Sequence, residues 1–443
     1  MNRRKLVMVS ILCISSLVGV QAQTKPWSLN DCIDYAIQQN IQVRQSALSI
    51  DQNQLYSEQA KAAKLPNLSA SASQNFFWSK DYDSETASFG SLGNDNSSDY
   101  GLNSSVILYN GNKLNNEIKL AELDLKSSTY NTETIKESVQ ISVLNYFLQV
   151  LYAQENVSNA QSQIESTEKE LELAEERLNL GLIAQSDLLQ IKSELASEKL
   201  ALANAKTTLG IARLNLMQLM ELPSDTDFEI ESPELSQMLN QNLQPVSSSI
   251  FEQSLQIRPQ IKMVESDMQL ARLNEQIAKA SYLPTLSLSA GLSTGYSSSL
   301  SGFNYTEQLK DQVTPSVGLS LSVPIFQRKQ AKTSVGLAKI AVSNAELTAL
   351  DTQNSLRKEI EQAALDVQSA QIEFEANEEN FQSVTESMNV ANEKFNQGLI
   401  NSVDFLYQKN LLITAESQLL QSKYQLIFSY KILDFYKGIP LSL

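Results

Sequence analysis

The sequence predicts a mixed fold of α-helix and transmembrane β-strand, built from two copies of a strand–strand–long helix–turn–helix unit. Three observations predict it. AEERLNLGLIAQSDLLQ (Ala174 to Gln190) and ANEKFNQGLINSVDFLY (Ala391 to Tyr407) agree at eight of seventeen positions, where unrelated segments of ordinary composition share about one. Each copy lies between two long helical patterns and reads as the tip of a helical hairpin, so the repeat announces the architecture. Four short segments, two in each half, alternate apolar and small polar residues with period two. After residue 22, no apolar run approaches the roughly 20 residues of a membrane helix. A membrane crossing by this chain therefore has to be made by strands.

Residues 1–22 read as a signal peptide. Arg3, Arg4 and Lys5 precede the apolar run Leu6 to Val20, and Val20-Gln21-Ala22 is a small-x-small cleavage site. Cys13 lies inside the apolar run without small residues before it, so no lipid attachment is expected. Without Arg3, Arg4 and Lys5, the 34 basic residues fall to 31 against 50 acidic ones, a net charge of −19. That balance argues against nucleic acid and anionic lipid surfaces as partners. Cys32 is the one remaining cysteine, so no intramolecular disulfide can form, and the chain has no histidine.

The first repeat spans residues 23–220. Ser28 caps a helix expected to run to about Lys64, with Asp31 completing a capping box. Pro66 ends it and opens a hairpin over 66–109. Its strands place Leu68, Ala70, Ala72, Phe76 and Trp78, then Tyr100, Leu102, Val106 and Leu108, on the apolar face. A helix from about 112 to 180, the tip, and a helix from about 186 to 220 follow. Residues 221–248, with Pro223, Pro233 and Pro245, read as a linker or small lateral patch. The second repeat, 249–443, has a helix ending at Pro284, a hairpin over 284–326, and a helical hairpin over 328–437. Its strands carry Leu286, Leu288, Ala290 and Leu292, then Val317, Leu319, Leu321 and Val323.

The opposite strand faces are almost all Ser, Gly and Asn, which suits a water-filled lumen better than the exposed face of a soluble sheet. Phe76, Trp78, Tyr100, Tyr109, Tyr296 and Phe326 gather at strand ends, as an interfacial girdle requires. Segments 79–99 and 297–314 are then outer loops; the first holds Asp81, Asp83, Glu85, Asp95 and Asp99, acids without the spacing of a calcium loop. Leu188, Leu195, Leu202, Leu209 and Leu216 recur by sevens, as do Phe405, Leu412, Leu419, Leu426 and Leu433. That period asks for a left-handed coiled coil. The summed lengths of the two shorter helices let them stack end to end beside each long one.

Signal peptide, duplicated unit, the LP step before a strand (AAKLPNLS, ASYLPTLS) and the Gly-Leu-Ile tip followed by Asp together resemble the TolC-type outer membrane factor family. The resemblance covers essentially all of the chain after the leader. It implies a homotrimer in which twelve strands close one outer-membrane barrel, continued by a periplasmic α-helical barrel. Four strands alone leave open edges that lipid does not tolerate, and closed barrels need about eight or more. The resemblance further implies a duct for small-molecule efflux, with protein secretion and metal efflux as alternatives, and partnership with a periplasmic adaptor and an inner-membrane pump. Gly181, Leu182 and Ile183, with Gly398, Leu399 and Ile400, match the adaptor-contacting tips; the simpler reading is that they only terminate the hairpins. Asp404 matches an acidic ring at the periplasmic entrance. A second acid one turn later is here Tyr407, and a basic residue of the turn is here Ile400, so the gate departs from the family pattern. For Asp404 and Asp187, helix capping and dipole compensation are the competing reading.

No cofactor and no metal site are expected. An enzyme is disfavoured by the absence of histidine, of a metal-ligand cluster and of a phosphate loop. A structural coiled-coil protein of the envelope accounts for the heptads, but not for four Ser-lined strands in matching positions.

Overall fold

The computed structural model describes residues 26–443 other than 86, 224, 236–238, 240–245 and 301. The leader over 1–22 lies outside the described residues. Thirteen elements follow in order: helices α1 (Leu29–Gln39) and α2 (Ile41–Ala62), strands β1 (Asn67–Asp83) and β2 (Ser88–Tyr109), helices α3 (Lys113–Asn179), α4 (Gln185–Leu219), α5 (Ser247–Ile257) and α6 (Pro259–Ala280), strand β3 (Thr285–Ser297), helix α7 (Tyr305–Asp311), strand β4 (Thr314–Ser322), and helices α8 (Gln330–Asn396) and α9 (Ser402–Tyr436). The chain is mostly helical with one small sheet. At 1.5 Å per residue, the 67-residue helices α3 and α8 are each about 100 Å long.

The expected single helix from Ser28 to Lys64 is two. The Ser28–Asp31 capping box is present, but the helix breaks at Asn40. The Asn40 side chain accepts from Gln42 N and Val43 N and so starts α2, while its amide donates to the Leu219 carbonyl at 3.0 Å. One residue thus begins a helix and closes the C-terminus of α4. The second repeat breaks at the corresponding place. Pro259 opens α6, Ser254 Oγ donates to the Tyr436 carbonyl at 2.7 Å, and Arg258 donates to the Phe435 carbonyl. So α4 meets α2, and α9 meets α6, end to end beside the long helices, while α1 and α5 pack at these two junctions.

The main core lies at these junctions. Cys32, Ala36, Val143, Leu144, Val150, Leu216 and Met220 are all fully buried there. Trp27 and Ile230 form a parallel bridge, Trp27 N donating to Glu229 O at 2.8 Å, which binds the connecting segment against α1. A second cluster, including Leu356, Ile360, Val367, Leu426 and Leu433, joins α8 to α9. Leu426 and Leu433 are members of the heptad series, packed as a coiled-coil seam demands.

The sheet is antiparallel in the order β1-β2-β3-β4. Register places Ala70 beside Leu102, Leu102 beside Leu292, and Leu288 between Val106 and Leu319, so the apolar positions share one face. On the other face, Ser69, Asn103, Gly291 and Ser316 form one row. No long helix covers the apolar face: Leu68, Val317, Leu319 and Leu321 are exposed. Among the described residues, the sheet is therefore not packed on the long helices of its own chain.

The segment 79–99 is mostly strand instead of loop. β1 and β2 continue as a two-stranded ribbon through Ser79–Gly93, past a bulge, to Tyr82–Phe89, whose rings meet at 5.2 Å. Continued pairing keeps the backbone groups satisfied and spreads the acids along the ribbon. Segment 297–314 contains α7, held by the buried Gln308. That amide donates to Ser297 O and accepts from Ser297 N, substituting for a neighbouring strand where β4 has ended.

Candidate functional site: the hairpin tips and the entrance helix

Both long helices end in the same way. Leu180 and Gln397 are the last right-handed residues, and Gly181 and Gly398 each take φ +72°. Gly181 N donates to Leu178 O and Leu182 N to Arg177 O, both at 2.9 Å. Gly398 and Leu399 repeat this with Phe395 and Lys394, at 3.1 and 2.8 Å. This paired closure is a Schellman motif, which requires a left-handed residue. A Cβ at either glycine would meet nothing within 4 Å, so the demand for Gly is conformational and not steric.

The tip side chains divide into two kinds. Leu182 and Leu399 stand out, 69% and 67% exposed. Ile183 is half-buried, packed against the cluster of Ala174, Leu188 and Ile191, and Ile400 is also half-buried. Each turn therefore presents one well-exposed apolar side chain, its leucine, while its isoleucine is half-buried.

Asp187 and Asp404 occupy equivalent places but have different surroundings. Asp187 Oδ2 accepts from Ala184 N at 3.2 Å, and its Oδ1 accepts from Ser402 Oγ at 2.6 Å. It thus closes its own helix and ties the first tip to the start of α9. At the second tip, Asn401 performs the capping, accepting from Asp404 N at 2.8 Å. The Asp404 side chain is left exposed, with the exposed Tyr407 one turn on.

A buried ionic hub lies just above. Lys409, 2% exposed, donates to Thr167 Oγ1 at 2.5 Å and Glu170 Oε2 at 3.0 Å on α3, and approaches Glu198 Oε1 on α4 at 3.3 Å. Burial and then Glu198 push the nearby Glu194 carboxyl above its ordinary value. The hub joins three helices from both repeats. Its sequence signal was available: Lys409 follows Phe405 by four and precedes Leu412 by three, inside the apolar stripe, and Glu198 follows Leu195 by three. A second link near the tips runs from Arg177 Nη2 to Asn396 Oδ1 at 3.1 Å. Among the described residues, no group of three His, Cys, Asp or Glu could hold a metal ion.

Comparison with known proteins agrees with this architecture. The family profile described as outer membrane efflux protein matches residues 32–221 and 250–436, one segment in each repeat. The alkaline protease secretion protein AprF of Pseudomonas aeruginosa is 24% identical over 250 residues, 52% of this chain and about half the length of that relative. The crystal structure of CusC superposes with a TM-score of 0.78 at 17% identity, covering 95% of this chain and 96% of that one. The CmeC outer membrane channel of Campylobacter jejuni gives a TM-score of 0.76 at 21% identity, over 93% of this chain and 85% of that one. At these identities, the structural likeness speaks for the fold. The chain belongs to the outer membrane efflux protein family: it is a transport protein of the outer membrane, and it is not an enzyme.

Proposed function

We propose that three copies of this chain form the exit duct of a tripartite efflux system, passing small molecules from a periplasmic adaptor and inner-membrane pump to the exterior. The observation that carries the proposal is the sheet. No long helix covers either of its faces, one apolar and one of Ser, Gly and Asn, and among the described residues its outer strands β1 and β4 each pair with a single neighbour. Lipid tolerates such edges only in a closed barrel, and three sheets make twelve strands, enough to leave a water-filled interior. Tyr109 and Tyr296 bracket the apolar band. The ten residue steps from Leu286, paired with Tyr109, to Tyr296 rise roughly 33 Å, which a strand tilt of about 40° reduces to the roughly 25 Å expected of such a band.

The repeats over 23–220 and 249–443, joined by 221–248, supply two tips per copy. Leu182 and Leu399 are the adaptor-contacting knobs, with Gly181 and Gly398 shaping the turns and Ile183 and Ile400 pinning them. Asp404 and Tyr407 form the periplasmic gate: three exposed carboxylates near one axis favour cations. Asp187 is a structural brace of this gate, because both of its oxygens are engaged. A purified trimer in a planar bilayer should conduct and prefer cations, and Asp404→Asn should reduce that preference; no conductance under any condition would refute the duct. Photo-crosslinkers at Leu182 and Leu399 should capture an adaptor in cells. The similarity to a protease secretion protein favours a second reading, a duct for secreted protein; co-capture of a polypeptide substrate would support it over small-molecule efflux.

A further inference from the structure

The helical wall contains a polar cavity that serves neither the gate nor the tips. It has a volume of about 500 Å³ and lies where α3 and α4 of the first repeat meet α9 of the second. A coiled coil fills such a place with Leu or Ile. Here the lining includes the carboxylates of Glu194, Glu198 and Glu416, amides such as Asn156, Asn159 and Asn204, and no basic residue.

Glu198 shows that the site is incomplete as it stands. It is 6% exposed, and neither carboxylate oxygen has a hydrogen-bond partner among the described residues. Its Oε1 lies 3.3 Å from Lys409, but that ammonium is shared with Glu170 at 3.0 Å. Glu194 adds a third carboxylate, so a single cation faces three acids. Glu416 stands in the same cavity on α9, its carboxyl pushed up by burial and by Glu155. Buried carboxylates without enough partners are costly, and a bound cation relieves that cost.

We propose that this cavity binds an aliphatic oligoamine, with one ammonium against Glu198 and Glu194 and another toward Glu416. Three features select that class. The volume is that of a small-molecule site and far exceeds a bare ion. No three acids converge closely enough to cage a metal. No aromatic ring lines the cavity, which removes the cation–π cage that quaternary or aromatic cations use, whereas Asn and Ser oxygens accept from successive N–H groups. The proposal needs only the fold of the chain and is independent of the duct reading.

Spermidine titrated into the purified full-length protein, followed by calorimetry, tests it. One spermidine per chain should bind, with Mg²⁺ at equal concentration failing to displace it. Glu198→Gln should weaken binding about tenfold or more, the effect of losing one charge-assisted contact. Ala201→Leu, at an exposed position on the cavity rim, should abolish binding in a folded protein and guards against misfolding of the first variant. No spermidine binding overturns the proposal, as does binding that Mg²⁺ abolishes. Loss of binding in Asp404→Asn but not in Glu198→Gln would place the amine at the entrance and equally overturn it.

Discussion

Replacing Lys409 with Met tests whether the ionic hub holds the entrance helix. The ammonium is 2% exposed and contacts Thr167, Glu170 and Glu198, of which Glu198 is itself buried. Met keeps the volume of the stem but leaves the carboxylates without their cation. Breaking a buried pair from one side costs about 3–5 kcal/mol, mostly because the remaining charge is stranded. The loss should be local, since Lys409 ties α9 to α3 and α4 near the tip and the main core lies far along the helices. Native-state hydrogen exchange reads it directly. Amides of α9 around Lys409 should exchange roughly a hundred- to a few thousandfold faster, because every 1.4 kcal/mol is about tenfold in the opening equilibrium, while amides around Val143 and Leu216 should be unchanged. Adding Glu170→Gln and Glu198→Gln should restore most of the protection, because removing both sides of a pair is far cheaper than removing one. Exchange within about threefold of the unsubstituted protein, or no recovery in the triple variant, would refute the reasoning.

Arg258→Met should loosen the junction of α9 with α6, because Arg258 is 3% exposed, pairs with Glu137 at 2.9 Å and lies 3.8 Å over the Phe435 ring; a loss of about 3 kcal/mol in local exchange is expected. Burial holds the Glu137 carboxyl above its ordinary value against the lowering effect of Arg258. Removing Arg258 raises it further, so the defect should grow as pH rises through that folded-state value and shrink toward acid. Gly398→Ala should cost about 1 kcal/mol at the tip, read as faster exchange of Leu399 and its neighbours, because φ is +72° with open space around it; an unchanged rate would show that the turn relaxes without strain. Cys32 is fully buried and its thiol is pushed up to about 12, first by burial and then by Asp31. Maleimide at pH 8 should therefore leave the folded protein unlabelled and label the unfolded chain completely, whereas rapid labelling of the native protein would contradict the core around α1.

Local patterns carried much of this protein. Period-two alternation placed all four strands, heptads placed the seams through Leu188, Leu216, Leu426 and Leu433, and the doubled Gly-Leu-Ile marked both turns. These features are legible because each is set by residues adjacent in sequence: an alternating face, a 3.5-residue stripe, a glycine at a left-handed cap. The breaks at Asn40 and Arg258 were missed because each is settled by a carbonyl 177 to 179 residues away, on the end of another helix. The ribbon beyond Ser79 was read as loop because its acids and glycines look like loop, whereas register inherited from the paired strands below extends it. Asp187 and Asp404 occupy matching places in the repeat, but Asn401 takes over capping at the second tip, and packing brings Ser402 onto Asp187 and leaves Asp404 exposed. Periodicity and turn chemistry thus determined which elements exist and where they turn. Tertiary contact decided which charges are buried, paired or free, because burial and pairing depend on neighbours from distant parts of the chain.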